Sequence, residues 1–108
     1  MPIYGDGTQS RDFTYVANVV EATILAADAA DSSGAILNVA TGRSVTVNEL
    51  AEAVGAVLGL AVETEFRESR PGDVSHSWAD VREAERVLCW RPHVTLEEGL
   101  RLTADGLA

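Results

Sequence analysis

The chain has 108 residues, 46% of them hydrophobic, which suits one small domain with a modest core. Its 17 acidic and 8 basic side chains leave a formal charge of −9, which opposes broad binding to DNA, RNA or an anionic lipid surface; any bound anion has to be held by a few local arginines. The lone Cys89 excludes an intrachain disulfide and a thiolate zinc cluster, and no apolar run is long enough to cross a bilayer.

Met1 to Tyr4 lacks the charged and hydrophobic regions of a secretion signal, so the expectation is a soluble, unexported, cytoplasmic protein. Gly5-Asp6-Gly7 predicts a turn with relaxed backbone limits, and Gln9 to Val16 alternates polar and apolar residues like a strand. Arg11 sits on that strand, where its planar guanidinium can give two oxygens of one phosphate a fork of hydrogen bonds. The plainer reading is a hairpin whose Arg11 pairs with Asp6 or Asp12.

Asn18 to Glu21 predicts an N-cap and a helix with Val20, Ile24 and Ala27 on its apolar face, stopping between Asp28 and Gly34. Ala35 to Ala40 is a short apolar run between turns, expected as a strand buried on both faces and interrupted by Asn38. Thr46-Val47-Asn48-Glu49 is a capping box, followed by Leu50, Ala53, Val54, Val57 and Leu58 on one face and Gly59 as the stop. Val62 to Phe66 alternates apolar and acidic residues like a half-exposed strand, and a loop over 67–77 follows.

Within that loop, Arg70-Pro71-Gly72-Asp73 can present a cation and a carboxylate from one bend; its plainer reading is a solvated turn with an internal ion pair. Asp80 and Thr95 are expected to open two further capping-box helices, with Ala84, Val87 and Leu88, then Leu100 and Leu107, facing inward. Cys89 is expected to pack beside Trp90, His76 and Trp78 to pack the loop, and His93 to be an exposed loop histidine. Phe13 and Tyr15 are read as core before ligand contacts. The pattern is a single α/β domain over 1–108, with a small mixed sheet and about four helices, whose unpaired edges call for a cover.

Gly5-Asp6-Gly7-x-Gln9-x-Arg11-Asp12-Phe13-x-Tyr15-Val16, Asn38 to Gly42, Arg70 to Asp73, Trp90-Arg91-Pro92 and Leu96 to Leu100 occur in an order that resembles the NAD-dependent epimerase/dehydratase family, within the extended short-chain dehydrogenases. The chain looks like the C-terminal, substrate-binding portion of such an enzyme, closest to the UDP-glucose 4-epimerases and nucleotide-sugar dehydratases. The resemblance implies that Arg11 and Arg70 reach a nucleotide diphosphate, that Asn38 lies near the nucleotide, and that Asp73 accepts from ribose hydroxyls. The implied partner is a UDP- or dTDP-linked sugar.

Two departures stand out from the family pattern: Asn18 where aspartate is common, and Cys89 where glycine is common. The family's Tyr-x-x-x-Lys pair and glycine-rich cofactor motif are missing, and the chain contains no lysine. The resemblance therefore implies NAD in the full-length family, no catalytic residue or cofactor site in this chain, and no catalysis by it alone. The alternatives are a stand-alone nucleotide-sugar-binding or dimerisation module, and a remnant with no function of its own.

Overall fold

A computed structural model describes residues 1–29, 34–72 and 74–107. The elements run β1 (Pro2–Tyr4), β2 (Ser10–Arg11), α1 (Val16–Asp28), β3 (Val45–Thr46), α2 (Val47–Leu58), β4 (Glu65–Arg67), α3 (Arg82–Leu88) and α4 (Leu96–Leu107). β1 pairs in parallel with β4, Ile3 opposite Phe66, and β2 pairs antiparallel with β3, Ser10 opposite Thr46. The expected mixture of four helices and short strands is present, as two separate two-stranded sheets.

The clearest sequence signal is met in full. Thr46 accepts from the Glu49 amide while the Glu49 side chain reaches back to Thr46, and Gly59 ends α2 in the left-handed conformation at φ 68°. Thr95 likewise accepts from the Glu98 amide at 3.1 Å at the start of α4. The Asp80 cap is displaced. Helix α3 begins at Arg82 behind Val81, and Asp80 instead accepts from the Arg82 amide and guanidinium, which hold its carboxyl at about 2.

The main core joins Ala22 of α1, Ala84 and Leu88 of α3, and Trp90, with Leu37 and Val39 packed against it. This places the opposite face of α1 inward from the one expected: Val20 and Ile24 are 51% and 60% exposed. Helix α1 carries apolar residues around most of its circumference, and its alanines let it approach Trp90 closely. Asn18 is not a cap but a buried strut. Its Oδ1 accepts from the His93 and Val94 amides, both at 3.1 Å, and its Nδ2 donates to the Val94 carbonyl at 3.0 Å. An aspartate here has no proton to donate to that carbonyl at neutral pH.

Further expectations are corrected. Gln9 to Val16 forms strand only at Ser10–Arg11, which pair with Thr46 and Val45; the next residue, Asp12, turns its carboxylate to the Thr41 and Gly42 amides, and α1 starts at Val16. Residues 35–39 form no regular element and have no strand partner among the described residues, with Leu37 and Val39 packed against the core and Ile36 96% exposed. Cys89 is exposed, as are Trp78 and Leu107. Cys89 takes φ 51° at the end of α3, the left-handed cap position that glycine fills without strain.

The molecule is a slab of 48 × 34 × 17 Å. Its radius of gyration of 16.1 Å exceeds the roughly 13 Å of a compact domain of this length. Its 7297 Å² of accessible surface likewise exceeds the roughly 5,800 Å² of a compact monomer of its mass. No described helix is long and apolar enough to cross a membrane.

Candidate functional site

The glycine turn links the first strand to the first turn of α2. The Gly5 amide continues the β1–β4 ladder by donating to the Arg67 carbonyl at 2.7 Å, and Gln9 Nε2 closes the bend on the Tyr4 carbonyl at 2.8 Å. Asp6 accepts from the Thr8 amide and hydroxyl at 2.9 and 2.6 Å, which holds its carboxyl below the usual carboxylate range. Gly7, at φ 80°, has no room for a side chain: an added Cβ would come 2.0 Å from Asn48 Oδ1. Gly7→Ala is therefore expected to destabilise the chain by about 1–3 kcal/mol, read from the midpoint of urea unfolding.

This geometry does not fit a dinucleotide. A pyrophosphate needs open amides at a helix N-terminus. In α2, the Val47, Asn48 and Glu49 amides donate instead to the Gln9 carbonyl, the Gly7 carbonyl and Thr46 Oγ1. Nor do the described residues hold a cluster of three or more metal-ligating side chains.

On the other side of the turn lies an open hollow of about 620 Å³, lined by Tyr4, Gly5, Gln9, Arg67, Arg70 and His76 among others. Two cations converge on Tyr4. The Arg70 guanidinium lies 3.7 Å from the ring centroid and that of Arg67 5.8 Å, with Arg67 Nη1 donating to the Tyr4 hydroxyl at 3.4 Å. Arg70, then Arg67, pulls the Tyr4 phenol below its ordinary value of 10.0. A depressed acid of this kind adds stability that is full above the unfolded pKa and is lost as pH falls through the folded one, so the effect lies on the alkaline side. Arg70→Ala is expected to move the phenolate absorbance transition of Tyr4 upward in a Tyr15→Phe background.

The loop that carries Arg70 is anchored at β2. Ser10 donates its amide to the Ser75 carbonyl at 2.8 Å and accepts from the Ser77 amide at 3.0 Å, while Ser10 Oγ lies 2.8 Å from His76 Nδ1. His76 is exposed; its ring ties the loop to β2 through Ser10 rather than packing it. Arg11 is the next residue, half-buried, its Nη1 donating to the Ser10 carbonyl at 2.7 Å. It pairs with neither acid of the simple hairpin reading: Asp6 serves Thr8, and Asp12 serves residues 41, 42 and 79.

Of the four residues singled out from sequence, Arg70 lines the hollow. Arg11 stands on the strand that anchors the loop, and Asn38 is exposed elsewhere, its Nδ2 3.5 Å from the Asp80 carbonyl. Asp73 lies outside the described residues. Sequence reasoning missed Tyr4 and Arg67. The available signals were an aromatic residue directly before the glycine turn and a second arginine three positions before Arg70.

Comparison with known proteins gives a consistent result. The family profile described as GDP-mannose 4,6 dehydratase matches residues 1–103. UDP-glucuronate 4-epimerase from Thermodesulfobacterium geofontis is 34% identical over 104 residues, covering 95% of this chain and 32% of that protein. The crystal structure of UDP-glucose 4-epimerase from Thermotoga maritima, described with UDP-glucose, superposes with a TM-score of 0.91 at 39% identity, over 99% of this chain and 34% of that one. UDP-glucuronic acid 4-epimerase from Bacillus cereus, described with UDP-glucuronic acid and NAD, gives a TM-score of 0.88 at 30% identity, over 96% and 33%. The chain thus spans about a third of the length of the relatives it matches.

Proposed function

The chain belongs to the NAD-dependent epimerase/dehydratase family of nucleotide-sugar enzymes, and from that premise we propose that it is the nucleotide-sugar-binding portion of such an enzyme, taking a UDP- or dTDP-linked hexose. The observation that carries this reading is the Arg70 guanidinium held over Tyr4 at the mouth of a hollow with Arg67 beside it. Stacking leaves the donors at the edge of the guanidinium plane directed outward, the geometry that suits two oxygens of a phosphate. In an acidic chain of charge −9 such a local pair of cations is where a diphosphate can be held.

In this reading Arg70, with Arg67 beside it, and Arg11 neutralise the diphosphate; Asn38, which lies outside the hollow, contacts the nucleotide beyond it, and Asp73 accepts from ribose hydroxyls. Bound NAD supplies a reversible hydride acceptor in relatives of this kind. The residues present here do not fit that group, so the cofactor and the acid–base pair are assigned to the remaining two-thirds of a full-length enzyme. The exposed apolar row of Val16, Val20 and Ile24 on α1 is a surface on which that portion would close. The exposed, free Cys89 suits a reducing cytoplasm.

Calorimetric titration of the chain with UDP, UDP-glucose, dTDP-glucose and uridine tests the reading. Heats are expected with the three diphosphates and none with uridine, and the affinity should fall as salt rises. Absence of heat with every diphosphate overturns the proposal.

A further inference from the structure

Asp12 has a role that composition and motif leave unassigned. Its carboxylate is the meeting point of three chain segments. Oδ1 accepts from the Thr41 amide at 3.0 Å and the Thr41 hydroxyl at 2.5 Å; Oδ2 accepts from the Gly42 amide at 2.8 Å and lies 3.5 Å from the Ala79 amide. These donors are neutral, so the charge is spent on fixing backbone rather than on balancing a cation. Close packing backs the same junction: Gly42 sits at φ 74°, where an added Cβ would come 3.1 Å from Val81.

The segments that meet are those carrying the proposed ligand contacts. Asp12 follows Arg11 directly, Thr41 and Gly42 end the run that begins at Asn38, and Ala79 ends the loop that begins near Arg70. Ser10, two residues before Asp12, binds the same loop through residues 75, 76 and 77. Arg11 is therefore flanked by two clasps, one on each side, which set its position relative to the other two segments.

We propose that Asp12 is a positioning residue: its carboxylate registers the Arg11 strand, the Asn38–Gly42 run and the Arg70–Ala79 loop, so that the cations meet a diphosphate already aligned. The inference rests on the nucleotide-sugar reading above. It requires both carboxylate oxygens to accept from several donors at once, the more distant Thr14 hydroxyl at 3.4 Å included. Asparagine has the shape of aspartate but one acceptor oxygen, so whichever way its amide is turned, at least one backbone N–H faces an NH₂.

Asp12→Asn, Arg11→Ala and the double variant are compared with the unaltered chain by UDP calorimetry and by amide hydrogen exchange. Asp12→Asn is expected to weaken UDP binding by about fivefold or more. It should also speed exchange at Thr41, Gly42 and Ala79 while the amides of α2 and α4 keep their protection. Because Asp12 acts through Arg11, the Arg11→Ala loss should be smaller in the Asp12→Asn background than in the unaltered chain. A purely structural role would give additive losses and exchange raised throughout. Unchanged UDP affinity, or exchange unchanged at 41, 42 and 79, overturns the inference. If the unaltered chain binds no UDP, the nucleotide-sugar reading fails first, and the exchange result alone then decides whether Asp12 registers the segments.

Discussion

Replacing Arg70 with alanine is expected to weaken binding of UDP by about 10- to 100-fold, because hydrogen bonds to a charged group contribute about 1.5–3 kcal/mol and each 1.4 kcal/mol is a factor of ten. The side chain is exposed and stacks on Tyr4, so its removal should shift folding stability by no more than about 0.5 kcal/mol. Arg70→Lys keeps the charge but loses the planar fork, and should recover only part of the affinity. Calorimetry gives the affinities, and thermal melting in the absence of ligand separates them from any loss of fold. Melting that falls together with affinity would assign Arg70 to the fold rather than to the ligand.

The largest effect on stability is expected at Trp90, which is 2% exposed and packs between Ala22, Ala84 and Leu88. Trp90→Ala should cost about 3–5 kcal/mol, the range for emptying a large aromatic from a core. Domains of ordinary size hold only about 5–15 kcal/mol in total. In a slab with so little depth the substitution should abolish cooperative unfolding, read as loss of the sigmoidal urea transition in far-ultraviolet dichroism. Trp90→Phe should cost much less: among the described residues the indole N–H of Trp90 has no hydrogen-bond partner, so its removal forfeits area without breaking a bond there. Both substitutions remove the buried indole, so the fluorescence that remains comes from the exposed Trp78.

What the sequence could announce was local. The capping box at Thr46–Glu49 and the stop at Gly59 depend on residues a few positions apart, and both are found as expected. The Gly5–Gly7 turn was legible for the same reason, though its cause lay elsewhere: Gly7 is small because Asn48 occupies its side-chain space. The motifs likewise pointed to Arg70, whose neighbours in the fold are aromatic and cationic.

The remainder depended on partners far away in the chain. Helix α1 has apolar residues on two faces, and a 3.6-residue period cannot say which face meets the core. Packing against Trp90 chose the alanine face and left Val20 and Ile24 outside. The apolar run at 35–40 was expected to be buried on both sides, which requires strands that the described residues do not supply. The pairing of Pro2–Tyr4 with Glu65–Arg67 brings Arg67 beside Tyr4 across more than sixty residues, and no local pattern encodes it. Asp12 was invisible for the same reason: its donors lie near residues 41 and 79, while its sequence neighbour Arg11 suggested a simple ion pair.

The central claim, that the hollow beside Tyr4 and Arg70 holds a nucleotide diphosphate, is tested most directly by nuclear magnetic resonance of the chain titrated with UDP. Saturable shifts are expected at Tyr4, Gln9 and the Arg70 guanidinium, reduced by Arg70→Ala. An unchanged spectrum at saturating UDP, or shifts confined to the apolar groove between α2 and α4 around Val54, Leu58 and Leu100, would contradict it.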